Sequence, residues 1–114
     1  MEKTVFITGA AGGFGRASAE RFAAAGYFLG LFDVDERGLE ELAAAYGSDR
    51  CCYRRLDVTD PADCAAAVRF FGERTGGRMH VLLNNAGIMH AGDFHAGDLA
   101  AEMRVIDVNL KGIM

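Results

Sequence analysis

The chain has 114 residues, of which 51% are apolar and 25% charged, the composition of a single globular domain. Its 16 acidic residues outnumber 12 lysines and arginines, and its densest basic cluster is only Arg54–Arg55, which argues against nucleic-acid binding. The longest run free of both charged and strongly polar residues, residues 22–32, is far shorter than the ~20 residues that span a bilayer, and Met1–Thr4 has no signal-peptide pattern. Three cysteines, two of them adjacent, suit neither a disulfide framework nor a metal site. We therefore expect reduced thiols in a cytoplasmic protein.

The first half of the chain alternates strand-like and helical patterns. The apolar run Val5–Ile7 predicts a strand, and helical spacing of apolar residues over 14–25 predicts a helix that ends at Gly26. A second apolar run at 28–32 is closed by Asp33 and predicts another strand. Helical spacing returns at 39–46, with Gly47 as the stop.

The second half repeats the alternation. Residues 52–56 predict a third strand, after which Asp60 reads as a helix N-cap and Pro61 as the first helical residue. That helix should run to about residue 75, where Gly76–Gly77 ends it. Residues 80–83 predict a fourth strand with an exit loop at 84–87, and apolar spacing from Asp98 to Ile113 predicts a final helix.

This order, β-α-β-α-β-α-β-loop-α, requires crossover connections and therefore a parallel sheet with helices on its faces. Strand three carries Arg54 and Arg55 and is expected at an edge, which gives the strand order 3-2-1-4. The predicted fold is α/β, a Rossmann-type three-layer αβα arrangement and one half of a doubly wound sheet. Strand four is then expected to leave an open edge, which favours self-association.

A glycine-rich loop, Thr8–Gly15, lies between the first strand and the first helix. Glycines let the chain reverse sharply and let backbone N–H groups approach a pyrophosphate at the helix N-terminus without any lysine or arginine. No Gly-Lys-Ser/Thr follows, which disfavours a P-loop hydrolase. The alternative is a tight turn that binds nothing. The residues predicted to contact the cofactor here are Gly9, Ala11, Gly12, Gly13, Phe14 and Gly15.

Asp33 follows Gly15 by eighteen residues, at the end of the second strand. A carboxylate there can accept hydrogen bonds from adenosine ribose hydroxyls and would repel a 2′-phosphate by about 1–4 kcal/mol. Neither Val34 nor Gly12 offers a basic group to attract that phosphate, so Asp33 and Val34 predict a site for NAD rather than NADP. The alternative role for Asp33 is a helix N-cap, which is equally open to Asp35.

Together these motifs resemble the short-chain dehydrogenase/reductase family over the whole chain. The matching segments are Thr8-Gly9-x-x-x-Gly13-x-Gly15, Asp57-Val58, Asn84-Asn85-Ala86-Gly87 and Val108-Asn109-Leu110-Lys111-Gly112. The resemblance implies hydride transfer between a nicotinamide cofactor and an alcohol or carbonyl substrate, in a homo-oligomer.

The resemblance also assigns roles to single residues. It implies that Asp57 and Val58 hold the adenine ring, and that Asn85, Ala86 and Gly87 contact the cofactor. It makes Asn109 the first member of an Asn-Ser-Tyr-Lys catalytic set.

Each of these residues also has a structural alternative. Asp57 could begin a turn toward Asp60, the paired asparagines could form a turn or bridge neighbouring strands, and Asn109 could be purely structural. His90 and His95 could simply be solvated in their loop. No ligand cluster in the sequence suggests a metal.

The family's Tyr-x-x-x-Lys pair is missing from these residues. Four positions after Tyr27, Tyr46 and Tyr53 stand Leu31, Arg50 and Asp57, and the two lysines are Lys3 and Lys111. We therefore expect residues 1–114 to be the N-terminal, cofactor-binding part of a single longer domain, cut within a helix. The alternatives are a non-catalytic NAD-binding module and a dimerisation module.

Overall fold

The computed structural model describes residues 2–85 and the backbone of residues 105–108. Strands and helices alternate from residue 4 to residue 84, and a further strand is described at residues 105–108. The elements are β1 (Thr4–Thr8), α1 (Gly13–Ala24), β2 (Phe28–Asp33), α2 (Glu36–Tyr46), β3 (Cys51–Arg55), α3 (Pro61–Thr75), β4 (Met79–Asn84) and β5 (Val105–Val108).

The sheet has the order β3-β2-β1-β4-β5, and its first four strands are parallel. This confirms the predicted α/β fold, the order 3-2-1-4 and the edge position of β3. Thr8, the last residue of β1, pairs with Phe32 on one side and Asn84 on the other. The carboxyl ends of these strands therefore meet at one edge of the sheet.

The predicted final helix is wrong over residues 105–108, which form β5 and pair antiparallel with β4. The expected open edge of β4 is wrong for the same reason. Val105, Ile106 and Val108 are β-branched residues that suit a strand, and β4 supplies the unpaired backbone groups with which a strand can bond. The other residues of the predicted helix, 98–104 and 109–113, lie outside the described residues.

Two apolar cores cover the two faces of the sheet, and together they make the predicted three layers. The core that includes α1 and α2 contains Val5, Ile7, Ala10, Ala19, Leu29, Leu31, Leu39, Leu42, Ala43, Cys51 and Val81. The core on the α3 face contains Phe6, Phe32, Cys52, Leu56, Cys64, Ala67, Val68, Phe71, Met79 and Leu82. Consecutive strand residues thus enter opposite cores, which explains why the central residues of β1 and β2, Val5–Ile7 and residues 28–32, carry no polar side chain.

The α3 face depends on a glycine in the middle of β2. The Phe6 ring stacks on Phe32 at 4.0 Å between centroids and meets Phe71 edge-on at 5.3 Å. A Cβ at Gly30 would lie 2.5 Å from two atoms of the Phe71 ring. Gly30 therefore makes the space that the buried aromatic cluster occupies.

The three helices begin differently. Asp35 caps α2 by accepting from Gly38 N–H, and Asp60 caps α3 by accepting from the N–H groups of residues 62 and 63. Helix α1 begins after Gly12, which has no side chain to cap it, and its first turn holds no acidic residue. Its N-terminal N–H groups are thus left without a charged or polar partner from a capping side chain.

Within the described residues, no helix is both long and apolar enough to cross a membrane.

Candidate functional site

A cleft of about 400 Å³ lies at the edge where the parallel strands end. The loops that follow β1, β2, β3 and β4 all contribute to its walls, which are formed by Gly9, Gly12, Phe32, Asp33, Val34, Leu56, Asp57, Val58, Thr59 and Asn85. Open α/β sheets bind their ligands at the carboxyl ends of the strands, beside the point where the strand order reverses. In this sheet the reversal lies between β1 and β4.

A larger cleft of about 710 Å³ lies elsewhere, with Cys52, Tyr53, Phe70 and Arg74 in its walls. Burial raises the pKa of the Cys52 thiol to about 12, so that thiol is uncharged and a poor nucleophile at neutral pH. We assign the functional site to the smaller cleft, because seven of the residues predicted to contact the cofactor line it: Gly9, Gly12, Asp33, Val34, Asp57, Val58 and Asn85.

The glycine-rich loop turns so that the amides at the start of α1 are free. Ala10 N–H donates to the Phe32 carbonyl at 3.0 Å, and Gly12 N–H donates to the Gly9 carbonyl at 3.2 Å. Among residues 2–85, the N–H groups of Gly13, Phe14 and Gly15 have no acceptor. Free amides at a helix N-terminus form a site for an anion.

Two glycines of this loop differ in what surrounds them. A Cβ at Gly15 would lie 2.1 Å from the Gly9 carbonyl oxygen and 2.6 Å from the Ala10 Cα, so the helix packs directly on the loop. A Cβ at Gly13 would have nothing within 4 Å. Gly15 is therefore required by packing, whereas the space beside Gly13 is open.

Asp33 is fixed by two backbone hydrogen bonds at the wall of the cleft. Its Oδ2 accepts from Ala11 N–H at 3.0 Å, and its Oδ1 accepts from Asp35 N–H at 3.1 Å. Because Asp35 caps α2, the N-cap alternative for Asp33 is wrong. A carboxylate has about four lone-pair positions, so Asp33 keeps capacity to accept from ligand hydroxyls.

Arg16, in α1, also holds the glycine-rich loop in place. The Arg16 Nε donates to the Ala11 carbonyl at 2.7 Å, and its guanidinium lies 3.6 Å from the Glu41 carboxylate. Arg16 was not singled out from the sequence, because its partners are brought to it only by the fold.

Two apolar side chains are exposed close to these groups. Phe14 is 77% exposed in the first turn of α1, and Val34 is 56% exposed in the cleft wall. An exposed apolar side chain beside a cleft gives a planar ligand a surface to cover.

The segment after β3 forms the opposite wall. The Asp57 Oδ1 accepts from Thr59 N–H at 2.9 Å and from Thr59 Oγ1 at 2.6 Å, which lowers the pKa of the Asp57 carboxyl below its usual value. Val58 is partly buried against the α3 core. The turn toward Asp60 also exists, because Asp60 N–H donates to the Asp57 carbonyl at 3.1 Å. Asp57 thus starts a turn and still presents an ionised carboxylate to the cleft.

The two asparagines after β4 have different surroundings. Thr8 Oγ1 donates to Asn84 Oδ1 at 2.8 Å, which bridges β1 and β4, and Asn85 N–H donates to Thr8 Oγ1 at 3.0 Å. The Asn85 Nδ2 is buried and has no partner among the described residues. Asn85 therefore lines the cleft, and within residues 2–85 the hydrogen-bonding capacity of its Nδ2 is unused.

The remaining predicted residues lie outside the described part of the chain: Ala86, Gly87, His90, His95 and Asn109. Thr59 and Asp63 contribute to the site and were not predicted as site residues. Asp63 is an acidic residue in the first turn of α3, a position that by itself gives no sign of its contact with Asp57. In the segments that the structure describes, no group of three or more potential metal ligands occurs.

Comparisons with known proteins agree on one family. The family model described as short chain dehydrogenase matches residues 3–114. The 3-alpha-(or 20-beta)-hydroxysteroid dehydrogenase of Mycobacterium tuberculosis is 38% identical over 112 residues, 97% of this chain and 42% of that protein. The meso-2,3-butanediol dehydrogenase of Serratia marcescens is 33% identical over 112 residues, 98% of this chain and 44% of that protein.

A solved structure has the same fold. The 3-ketoacyl-(acyl-carrier-protein) reductase from Brucella melitensis, complexed with NADH, superposes with a TM-score of 0.71 and 38% identity. The match covers 75% of this chain and 34% of that one. The chain spans about two fifths of the length of the curated relatives that it matches.

Proposed function

Because the chain belongs to the short-chain dehydrogenase family, we propose that its described part binds the adenosine diphosphate half of NAD. The whole protein would transfer hydride between the nicotinamide ring and an alcohol or carbonyl substrate. The observation that carries this proposal is the set of free amides at Gly13, Phe14 and Gly15 beside a cleft walled by two aspartates.

The described residues fit the cofactor from the phosphates to the base. The pyrophosphate would accept from the free amides of α1, where the open space beside Gly13 admits it. Asp33 would accept from the ribose hydroxyls, and Asp57 from the amino group of adenine. The unpartnered Asn85 Nδ2 is a further donor for the ligand.

The preference for NAD rests on the charge of Asp33. A 2′-phosphate beside that carboxylate costs about 1–4 kcal/mol, which is one to three orders of magnitude in affinity. Arg16 is engaged with Ala11 and Glu41, but Arg55 stands opposite Asp33 in the β2–β3 register and would attract a phosphate. We infer that the carboxylate dominates, because it lines the cleft itself.

Calorimetric titration of the chain with NAD and NADP tests the preference. We expect weak NAD binding and no measurable NADP binding. Asp33→Asn should weaken the binding of NAD and strengthen the binding of NADP. Arg55→Ala should change the affinity for NAD by no more than about twofold from that of the unmodified chain. Equal affinity of the unmodified chain for both dinucleotides would refute the NAD preference, and no binding of either would refute the proposed function.

Catalysis requires groups beyond the described residues. Bound nicotinamide supplies the hydride acceptor or donor, and the family resemblance supports Asn109 as a catalytic residue and Ala86 and Gly87 as cofactor contacts. Because the 114 residues hold no Tyr-x-x-x-Lys, a non-catalytic NAD-binding module is the second candidate. An assay of NADH formation with a panel of secondary alcohols should give no turnover for this chain. Clear turnover would refute the proposal that these residues bind the cofactor but lack the catalytic groups.

The cytoplasm is the proposed location. Its support is that Cys51, Cys52 and Cys64 are free and buried, as is common where thiols stay reduced.

A further inference from the structure

We propose that Asp63 is the positioning residue that makes this site select adenine over hypoxanthine. It would act by holding Asp57 in the conformation that accepts from the base. This inference rests on the proposed function, because it concerns the base of the same nucleotide.

Both oxygens of the Asp63 carboxylate are in use. Its Oδ2 accepts from Asp57 N–H at 2.8 Å, and its Oδ1 accepts from Arg54 Nη1 at 3.0 Å. The Asp63 side chain is only 20% exposed, and Arg54 also donates to the Arg55 carbonyl. One carboxylate in the first turn of α3 therefore fixes both the end of β3 and the first residue of the cleft wall.

The rest of that wall is fixed to the same helix. Asp60 N–H donates to the Asp57 carbonyl at 3.1 Å, and Cys64 Sγ lies 3.6 Å from the Val58 carbonyl oxygen. Asp57 is thus bonded at both its N–H and its carbonyl, and only the N–H bond depends on Asp63. Thr59 then holds Asp57 Oδ1, which leaves Oδ2 available as an acceptor within residues 2–85.

An oriented carboxylate distinguishes the two purine bases. Adenine carries an amino group at position 6 that donates a hydrogen bond, whereas hypoxanthine carries an oxygen there, which a carboxylate repels. The ratio of the affinities for AMP and IMP therefore reports the orientation of Asp57. A general destabilisation of α3 would weaken the binding of AMP and of IMP by the same factor and leave the ratio of their affinities unchanged.

The test is calorimetric titration of the chain and its variants with AMP and IMP. We expect the unmodified chain to bind AMP about tenfold more tightly than IMP, since a hydrogen bond to a charged group commonly gives that factor. Asp63→Ala should reduce the ratio to about two or less. Asp63→Asn keeps an oxygen that can accept from Asp57 N–H, and should retain most of the ratio.

Asp60→Ala is the matched control. It removes an acidic residue from the same helix end and destroys the N-cap, including its bond from Asp63 N–H, but it keeps both groups of the bond between Asp63 and Asp57. We expect it to lower the melting temperature and to keep the AMP to IMP ratio. Should Asp63→Ala fail to fold, Asp63→Ser gives the same test, because serine is well tolerated near a helix N-terminus and its hydroxyl is too short for this contact.

The outcomes separate the two proposals. A ratio that falls in Asp63→Ala or Asp63→Ser and persists in Asp60→Ala supports the inference. A ratio unchanged by loss of Asp63, or lowered equally by Asp60→Ala, overturns it, as does an unmodified chain that binds both nucleotides equally. A chain that binds neither AMP nor NAD overturns the proposed function itself.

Discussion

Alanine at Gly13 and alanine at Gly15 should have opposite effects on stability. A methyl group at Gly13 meets nothing within 4 Å, and Gly13 is helical, so Gly13→Ala should raise the free energy of unfolding by about 0.5 kcal/mol through the loss of unfolded-state entropy. At Gly15 the methyl group would stand 2.1 Å from the Gly9 carbonyl oxygen, a backbone atom that cannot rotate away. Gly15→Ala should therefore lower the free energy of unfolding by about 2–3 kcal/mol.

The same pair separates folding from binding. The open space beside Gly13 is where the proposed pyrophosphate lies, so Gly13→Ala should bind NAD at least about tenfold more weakly although it is more stable. Urea unfolding gives the stabilities, and calorimetry with NAD gives the affinities. A Gly13→Ala chain with unchanged NAD affinity would show that the phosphates bind elsewhere. A Gly15→Ala chain as stable as the parent would refute the close packing of loop and helix.

The other predictions concern titration and packing. The hydrogen bonds from Thr59 hold the pKa of the Asp57 carboxyl below its usual value. The stability that these bonds give is therefore present above the pKa of the unfolded chain and is lost as the pH falls through the lowered pKa of the folded chain. Thr59→Val should raise the Asp57 pKa toward 3.8, which NMR of the carboxyl group would measure. Burial raises the pKa of Cys52 from 9.0 to about 12. The stability gained by burying the uncharged Cys52 thiol is therefore complete below pH 9.0 and is lost as the pH rises toward 12. A native chain whose Cys52 reacts rapidly with iodoacetamide at neutral pH would contradict that burial. Gly30→Ala should lower the free energy of unfolding by about 1–3 kcal/mol in urea, and Phe71→Leu should restore part of that loss in the double variant; additive losses would contradict the proposed clash.

Sequence signals that act within a single helix or strand predicted where those elements lie. Asp60 and Pro61 mark the start of α3 because a cap and a proline act on their own helix, and the structure confirms both. The parallel order of the first four strands followed from the helical connections between them. The boundaries of the four predicted strands differ from the observed ones by at most one residue, as at β3, which begins at Cys51 rather than Cys52.

Features that depend on distant pairing could not be predicted in this way. Residues 105–108 have apolar spacing that suits a helix, yet they pair with β4 more than twenty residues earlier in the chain. The contact of Asp63 with Asp57 likewise needs the turn between them to close, which spacing along the sequence does not reveal. In the candidate site, sequence reasoning therefore identified most residues of the cleft wall and missed Arg16, Thr59 and Asp63, which hold those residues in place.

The bare start of α1 means that a bound anion would act directly on the stability of the folded chain. Helices α2 and α3 begin with their own aspartate caps, whereas α1 has no capping side chain and leaves the equivalent interaction to the proposed ligand. A ligand that supplies this cap adds its binding energy to the folded state, about 1.4 kcal/mol for each tenfold excess over its dissociation constant. Saturating NAD, if it binds as proposed, should therefore protect the chain from proteolysis of its unfolded state.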